Sequence, residues 1–267
     1  MVILDKHIFG FFRYRKAVFP TLEQANKLVA ELGLNQVLHF PYEFGPAVES
    51  RNLIRCRLVS TVFIDLRQSL DDIFAAMQNH NCRRAIHRAE KILYRVRVSQ
   101  NTQESFDDFL TMYNNFADAK GVLPKMSRRG LELYTATSDV FVLYFDDQPF
   151  IGHVWLRDKE SKRVVHMFLG NRRLEQTTDR ELHNNLNRYL HWHEIQFYKS
   201  QGMETYDFGG IGPDNPYETR FNKFKMSFGG TILSEYLHTY ARPALIAKLA
   251  IGAYEKVPIV RYTLARS

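Results

Sequence analysis

Tyr206-Asp207-Phe208-Gly209-Gly210 and Phe224-Lys225-Met226-Ser227-Phe228-Gly229-Gly230 are the two stretches that decide how this chain is interpreted. The first stretch ends a short predicted strand, and the second follows shortly after it. Each stretch closes on a glycine pair, and glycine permits positive φ and the close approach of a ligand or of another backbone. We therefore expect the active centre to lie within residues 206–230.

The bulk composition is that of a basic globular protein. The chain has 267 residues, of which 45% are hydrophobic and 24% charged, and this fits a domain with a proper core. A net charge of +7 attracts nucleic acid, phosphorylated carriers or anionic membrane without choosing among them. Two cysteines are too few for a secreted disulfide framework. Without a visible signal peptide or an apolar run of about 20 residues, the sequence predicts a cytoplasmic protein.

Helices are predicted wherever apolar residues recur at helical spacing. The clearest are Thr21–Leu32, Ser105–Ala119 and a long helix from about Asp179 to Gly202. Ser69, with Asp72 three positions later, gives another helix a capping-box start. This helix should break near residues 79–81 and restart. Further helices are predicted at Ser127–Ala136 and Arg242–Tyr254.

Predicted strands alternate with these helices. They are Ser60–Leu66, Tyr94–Val98, Val140–Phe145, Phe150–Arg157, Arg163–Leu169, Thr205–Phe208 and Thr231–Tyr240. Asp146-Asp147-Gln148-Pro149 is typical of a hairpin turn. This order predicts an α/β (α+β) fold with a mixed, mostly antiparallel sheet and helices on both of its faces.

A third stretch adds to the two glycine-ended ones. Ile64-Asp65-Leu66 is followed by a helix and then by Arg83-Arg84-Ala85-Ile86-His87-Arg88-Ala89-Glu90-Lys91. Together the three stretches resemble the FemAB family of peptidoglycan interpeptide-bridge aminoacyltransferases and their GNAT-like acyltransferase relatives, over roughly residues 60–240. The resemblance implies a GNAT-like fold, in which two neighbouring strands splay apart to admit an acyl donor and an amine. It also implies an abbreviated N-terminal lobe at 1–98 and a C-terminal lobe at 99–267.

The same resemblance implies an N-acyl or aminoacyl transferase that forms an amide on a peptidoglycan or surface-polysaccharide intermediate. Its donor would be an acyl-CoA, an acyl-carrier protein or an aminoacyl-tRNA, used as a co-substrate, with no tightly bound cofactor. Its acceptor would be phosphorylated or lipid-linked, which implies work at the inner face of the membrane and a peripheral membrane contact. The alternative is a non-catalytic GNAT-like module that binds a polyanionic carrier, RNA or a membrane surface.

Lys225, Asp207 and Phe224 form the predicted catalytic group. The charge of Lys225, beside the aromatic Phe224, can hold a developing oxyanion or a substrate phosphate. In FemAB-type enzymes the matching lysine has such a role, whereas the alternative is a surface lysine. Asp207 can orient the amine or accept its proton, or it can cap the turn that follows. The predicted substrate contacts beside them are Tyr206, Gly209 and Gly210.

One basic face of a helix is the predicted phosphate-binding surface. Arg84, His87, Arg88 and Lys91 recur at positions that share one side of a helix. Guanidinium groups bind phosphate through two donors at once, so Arg84 and Arg88 are predicted substrate contacts. The alternative is a solvated helix face.

Four histidines complete the candidates. His153 and His166 lie on neighbouring predicted strands, where each is either a base in the cleft or a satisfied structural histidine. In His191-Trp192-His193-Glu194 the two histidines point to opposite sides of a helix, so we predict no metal site there.

Overall fold

The computed structural model describes residues 1–8, 12–43, 50–121, 125–173, 179–211 and 216–244. The chain divides into two compact units, one made of residues 1–61 and 233–267 and the other of residues 62–232. The predicted lobes, 1–98 and 99–267, follow a different division, and they stay a prediction. We describe each unit by itself.

The first unit is built on strands, some of which pair locally and some over a long sequence distance. Its strands are β1 (Val2–Ile8), β2 (Phe12–Val18), β3 (Gln36–Glu43), the first part of β4 (Leu53–Asp65) and most of β10 (Thr231–Arg242). β1 and β2 are antiparallel, β2 and β3 are parallel, and β3 and β10 are antiparallel. Helix α1 (Leu22–Ala30) starts at the capping box of Thr21 and Gln24. We predicted α1 and β10 from sequence, but not β1, β2 or β3.

The second unit carries the sheet on which the predicted site lies. From the end of β4 its strand order is β9, β8, β7, β6, β5. These strands are β5 (Val96–Gln100), β6 (Ser138–Phe145), β7 (Gln148–Asp158), β8 (Arg163–Asn171) and β9 (Thr205–Ile211). Pairing is antiparallel from β5 to β8 and parallel between β8 and β9. Asp146 and Asp147 have φ of 49° and 58°, as expected for the predicted hairpin turn.

Helices pack on both faces of this sheet. They are α2 (Leu70–Ala76), α3 (Arg84–Glu90), α4 (Gln103–Lys120), α5 (Arg128–Thr135), α6 (Arg180–Ser200) and α7 (Pro216–Met226). Successive β6 residues point to opposite faces, so Phe141 packs in the core with α6, and Val142 packs in the core with α4. The predicted fold class, a mixed and mostly antiparallel sheet between helices, is confirmed.

Three predicted boundaries need correction or fall outside the structure. The strand predicted at Tyr94–Val98 starts at Val96, because residues 93–95 form a 3₁₀ turn. The helix break predicted near residues 79–81 is a π-helical turn, Asn79–Arg83, that leads into α3. Most of the helix predicted at Arg242–Tyr254 lies outside the described residues. Among those described, no helix has the length and apolar character needed to cross a membrane.

Candidate active site

The parallel strands β8 and β9 stay paired for only a short distance. Their ladder comprises Arg163 with Thr205, Val164 with Tyr206 and Val165 with Asp207, whereas the strands continue to Asn171 and Ile211. Beyond the last pair, the described residues of the two strands share no further ladder, and we call this unpaired region between them the gap. The family resemblance implied that two neighbouring strands splay apart, and that splay stays a prediction.

A bulge in β8 lies where the gap begins. On the other side of β8, Val154 pairs with Phe168 while Trp155 pairs with His166, so Met167 is an extra residue. A bulge bends its strand and leaves the extra residue outside the ladder.

Asp207 is held tightly at the β9 side of the gap. Its side chain is fully buried, and Arg163 donates from Nη2 to Oδ2 at 2.5 Å. The other oxygen, Oδ1, accepts from the backbone nitrogen of Gly209 at 2.7 Å. Gly209 has φ of +74°, a conformation that suits glycine. Asp207 therefore caps the turn, as in the alternative that we weighed, and its part in catalysis stays a prediction.

Lys225 connects the two glycine-ended stretches. From the last turn of α7, Nζ donates to the carbonyl oxygens of Gly209 at 2.9 Å and Gly210 at 2.7 Å. The lysine thus lies at the β9 side of the gap rather than on an open surface. Its hydrogen bonds fix the backbone that follows Asp207 and place a positive charge there.

The second glycine pair has a packing role. A Cβ on Gly229, where φ is +77°, would lie 2.6 Å from the backbone carbon of Ala76. A Cβ on Gly230 would lie 2.7 Å from the carbonyl oxygen of Phe63. Neither position has room for a side chain, because α2 and β4 approach the backbone there.

Tyr206 and Phe224 meet a buried cluster on α6 that we did not predict. The hydroxyl of Tyr206 donates to Oε2 of Glu194 at 3.0 Å and lies 2.7 Å from Nδ1 of His191. The ring of Phe224 lies 5.5 Å from that of His191 and 4.8 Å from the guanidinium carbon of Arg188. Burial, and then Glu194, raise the pKa of Tyr206, so its phenol stays protonated.

His153 belongs to the same cluster, away from solvent. It is fully buried, with Nδ1 at 2.8 Å from Oε1 of Glu194 and Nε2 at 3.0 Å from Oδ1 of Asn187. Both ring nitrogens therefore have an oxygen atom at hydrogen-bond distance. His166 is partly exposed, and its ring lies 4.9 Å from that of His153. The geometry of His153 is that of a satisfied structural histidine, and its contact with substrate stays a prediction.

The sequence did contain a signal for this cluster. His183, Asn187, His191 and Glu194 recur at intervals of four, four and three, which puts polar groups on one side of α6. His183 is 2% exposed, and neither of its ring nitrogens has a hydrogen-bond partner in the described part of the chain. Burial, followed by the charges of Arg173 and His153, lowers its pKa to about 3, so its ring is neutral.

The cluster has the residue types of a metal site but the contacts of a hydrogen-bond network. Candidate ligand atoms of His153, His191 and Glu194 lie within 4.8 Å of one another. Their polar atoms already contact each other and Tyr206 at hydrogen-bond distances. His193 lies elsewhere, against Phe141. The structure explains the cluster without an ion, and the predicted absence of a metal stays a prediction.

The basic face of α3 is exposed, as its spacing predicted, but part of its charge is balanced. Arg84, His87, Arg88 and Lys91 are all exposed. Arg88 donates to Glu181 at 2.6 Å, and Nδ1 of His87 lies 2.8 Å from Glu90. Phosphate binding by Arg84 and Arg88 stays a prediction.

A cavity of about 330 Å³ lies away from the gap. Its lining includes Asp139 and Arg157, and none of the predicted site residues. The carboxylate of Asp139 accepts from Asn101 at 2.8 Å and from the Tyr198 hydroxyl at 3.1 Å. Because Asp139 already has these partners, we centre the candidate site on the gap between β8 and β9.

Comparisons with known proteins bear on the family and the fold of this chain. The model of the acetyltransferase (GNAT) domain family matches residues 76–219. A crystal structure of FemX is similar at 11% identity with a TM-score of 0.63, covering 92% of this chain and 85% of that one. The C-terminal domain of a putative lysylphosphatidylglycerol synthetase from Agrobacterium fabrum has 15% identity, a TM-score of 0.61 and coverage of 92% and 83%. L-PGS from Bacillus licheniformis has 10% identity, a TM-score of 0.53 and coverage of 97% and 85%. No curated protein sequence matches this chain.

Proposed function

Since this chain belongs to the acetyltransferase (GNAT) domain family, we propose that it is an N-acyl or aminoacyl transferase that forms an amide on a cell-envelope precursor. The precursor would be a peptidoglycan or surface-polysaccharide intermediate. The observation that carries the proposal is the gap between β8 and β9, with the charge of Lys225 fixed at its β9 side. A scaffold with this shape can hold an acyl group and an amine in line for attack.

The proposed chemistry uses groups that are already fixed in position. When an amine attacks an activated acyl group, negative charge develops on the acyl oxygen, and a positioned cation lowers the barrier. Lys225 supplies the cation, and the preceding residue, Phe224, packs against His191 and Arg188. Asp207 is a positioning residue, because it ties Gly209 to Arg163 and so sets the course of β9. Tyr206 is held by Glu194 and fixes the same strand from its other end.

The donor is an acyl-CoA, an acyl-carrier protein or an aminoacyl-tRNA, and two structural relatives favour an aminoacyl group. FemX and the Agrobacterium synthetase share this fold, and the latter is named for lysylphosphatidylglycerol, in which an amino acid is joined to a phospholipid. An acceptor of that kind would place the chain at the inner face of the membrane as a peripheral protein. Arg84 and Arg88 on α3 would then help to bind an acceptor phosphate.

A donor-transfer assay tests the proposal. The purified protein is offered labelled acyl-CoA, acyl-carrier protein and aminoacyl-tRNA separately, each with envelope precursors, and amide products are counted. Lys225→Ala should lower transfer by at least a hundredfold, in line with the loss of one group that stabilises the oxyanion. Lys223→Ala is the matched control, since Lys223 is exposed on the same helix.

The fold of both variants is checked by circular dichroism, because Lys225 also holds Gly209 and Gly210. A folded Lys225→Ala protein with the activity of Lys223→Ala would refute the role of Lys225. Failure of all three donors with every precursor would refute the proposed reaction.

The net charge of +7 favours one rival function, a non-catalytic module that binds RNA, a polyanionic carrier or a membrane surface. Such binding would weaken steeply between about 50 and 200 mM salt. Co-sedimentation with RNA and with anionic vesicles across that range would detect it. Retention that does not change with salt would exclude the rival.

A further inference from the structure

Among the described residues, Arg188 on α6 is a partly buried cation without a counter-charge. Its guanidinium lies 4.8 Å from the centre of the Phe224 ring, and Nη1 donates to the carbonyl of Asn184 at 3.3 Å. Its Nε is buried and has no hydrogen-bond partner within the described ranges. No carboxylate in those ranges forms an ion pair with it either.

The groups that face Arg188 are positive or neutral. Burial lowers the pKa of Arg188, and the charge of Arg173 acts in the same direction. Cys82 is near enough to affect Arg188, but burial raises the pKa of this thiol to about 12, so it carries no charge at neutral pH. Burial chiefly lowers the pKa of His191, and the charges of both Arg188 and Lys225 add to that effect. The potential beside Phe224 is therefore positive.

Other arginines of this chain show what Arg188 lacks. Arg95 also stacks on an aromatic ring, that of Phe145 at 4.3 Å, and it has the carboxylate of Asp146 as a partner. The buried Arg163 is paired with Asp207. A buried cation without such a partner is costly, and a buried donor without an acceptor calls for an explanation.

We propose that Arg188 is the centre of an anion subsite that takes a phosphate group of the substrate. Phe224 supports the guanidinium from one side, while Arg173 and Lys225 make the potential positive. The planar guanidinium matches a phosphate with two parallel donors, one of which would be the buried Nε. The subsite rests on the proposed function and adds to it, since it puts a second point of phosphate recognition on α6 beside α7, apart from the exposed face of α3.

Two sources of phosphate fit this chemistry, a soluble phosphorylated carrier and a phospholipid headgroup. Thermal unfolding of the purified chain is followed with sodium pyrophosphate, with sodium acetate and with vesicles that contain phosphatidylglycerol, all at matched ionic strength. The proteins compared are wild type, Arg188→Met, Arg188→Lys and the matched control Arg95→Met.

We expect pyrophosphate to raise the wild-type Tm by about 5 °C at concentrations about 100-fold above its Kd. Arg95→Met should keep this rise, Arg188→Met should lose it, and Arg188→Lys should keep only part of it, because lysine lacks the second donor. Without ligand, Arg188→Met should be at least as stable as wild type, since it removes an uncompensated charge. A rise with vesicles alone that depends on Arg188 would assign the phosphate to a lipid.

The subsite is refuted if neither phosphate source raises Tm, if Arg188→Met keeps the rise, or if acetate acts as strongly as pyrophosphate. This readout is separate from turnover. A chain that binds pyrophosphate through Arg188 but transfers no acyl group would disprove the proposed function and leave the subsite standing.

Discussion

Replacing Glu194 by glutamine removes one charge from the buried cluster and leaves its size unchanged. Glu194 is fully buried, and it contacts Nδ1 of His153 at 2.8 Å and the hydroxyl of Tyr206 at 3.0 Å. The other nitrogen of His153 lies 3.0 Å from Oδ1 of Asn187. In Glu194→Gln, His153 and Tyr206 would both lose the carboxylate that they contact.

The expected loss is large for a single substitution. A buried hydrogen bond to a charged group contributes about 1.5–3 kcal/mol, and both His153 and Tyr206 contact the carboxylate of Glu194, so the loss should be at least about 3 kcal/mol. For a chain of this size, each kcal/mol lowers Tm by about 2–4 °C, so we expect a fall of at least about 6 °C. Glu181→Gln is the matched control. Glu181 pairs with a cation, Arg88, but the side chain of Glu181 is 68% exposed. Exposed ion pairs of this kind contribute about 0–1 kcal/mol.

Thermal and urea unfolding, followed by circular dichroism, measure both variants. A double-mutant cycle with His153→Gln isolates the pair, and we expect a coupling of at least about 2 kcal/mol. A Tm for Glu194→Gln within about 2 °C of that for Glu181→Gln would refute the stabilising role of the Glu194 carboxylate. If Glu194→Gln loses much stability but its coupling energy with His153→Gln is small, the loss comes from the contact between Glu194 and Tyr206 instead.

Three further predictions follow from the packing. Gly229→Ala should lower the free energy of unfolding in urea by more than about 2 kcal/mol, because a Cβ at this position has no room. The control Gly121→Ala, at φ of +66° in open space, should lower it only by the backbone strain of about 1–2 kcal/mol. The pKa of His183 falls from 6.5 to about 3 on folding, chiefly through burial, so the unfolded chain takes up the proton first. The free energy of unfolding should therefore decrease as pH falls from 6.5 towards 3, and His183 should account for up to about 1.4 kcal/mol of this decrease per pH unit. In His183→Leu the decrease should be smaller. Cys56 is exposed and should react with iodoacetamide in the native chain. Burial raises the pKa of Cys82 to about 12, so this thiol should react only after unfolding. Peptide mass spectrometry measures both reactions.

Local sequence patterns were enough to predict much of the fold. Helical spacing predicted α1, α4 and α6, and the turn at Asp146 and Asp147 predicted the β6–β7 hairpin. The resemblance to FemAB-like, GNAT-like acyltransferases is confirmed at the level of family and fold. The strand β3 was missed because one of its partners, β10, is remote in sequence, as in the contact of His39 with Thr239 at 2.9 Å. The strands β1 and β2 pair with each other locally, and their sequence pattern was not recognised.

The sequence predicted those parts of the site that lie in continuous segments, and it missed the contacts that form between remote segments. The two glycine-ended stretches predicted the neighbourhood of Asp207 and Lys225, because both lie in continuous segments. Glu194 and His153 come together only when α6 packs on β7, and no local pattern shows that contact. Arg188 lay on the helix whose apolar stripe we recognised, but its missing counter-charge is visible only in three dimensions.

The two glycine pairs differ in how far evolution could vary them. Gly209 needs a backbone with positive φ, which asparagine or aspartate can also adopt. Gly229 and Gly230 have no space for any Cβ, so substitution there should be purged by selection. A sequence search anchored on the second pair would therefore collect chains that share this packing whatever reaction they catalyse. A search anchored on Lys225 and Arg188 would instead select for chemistry.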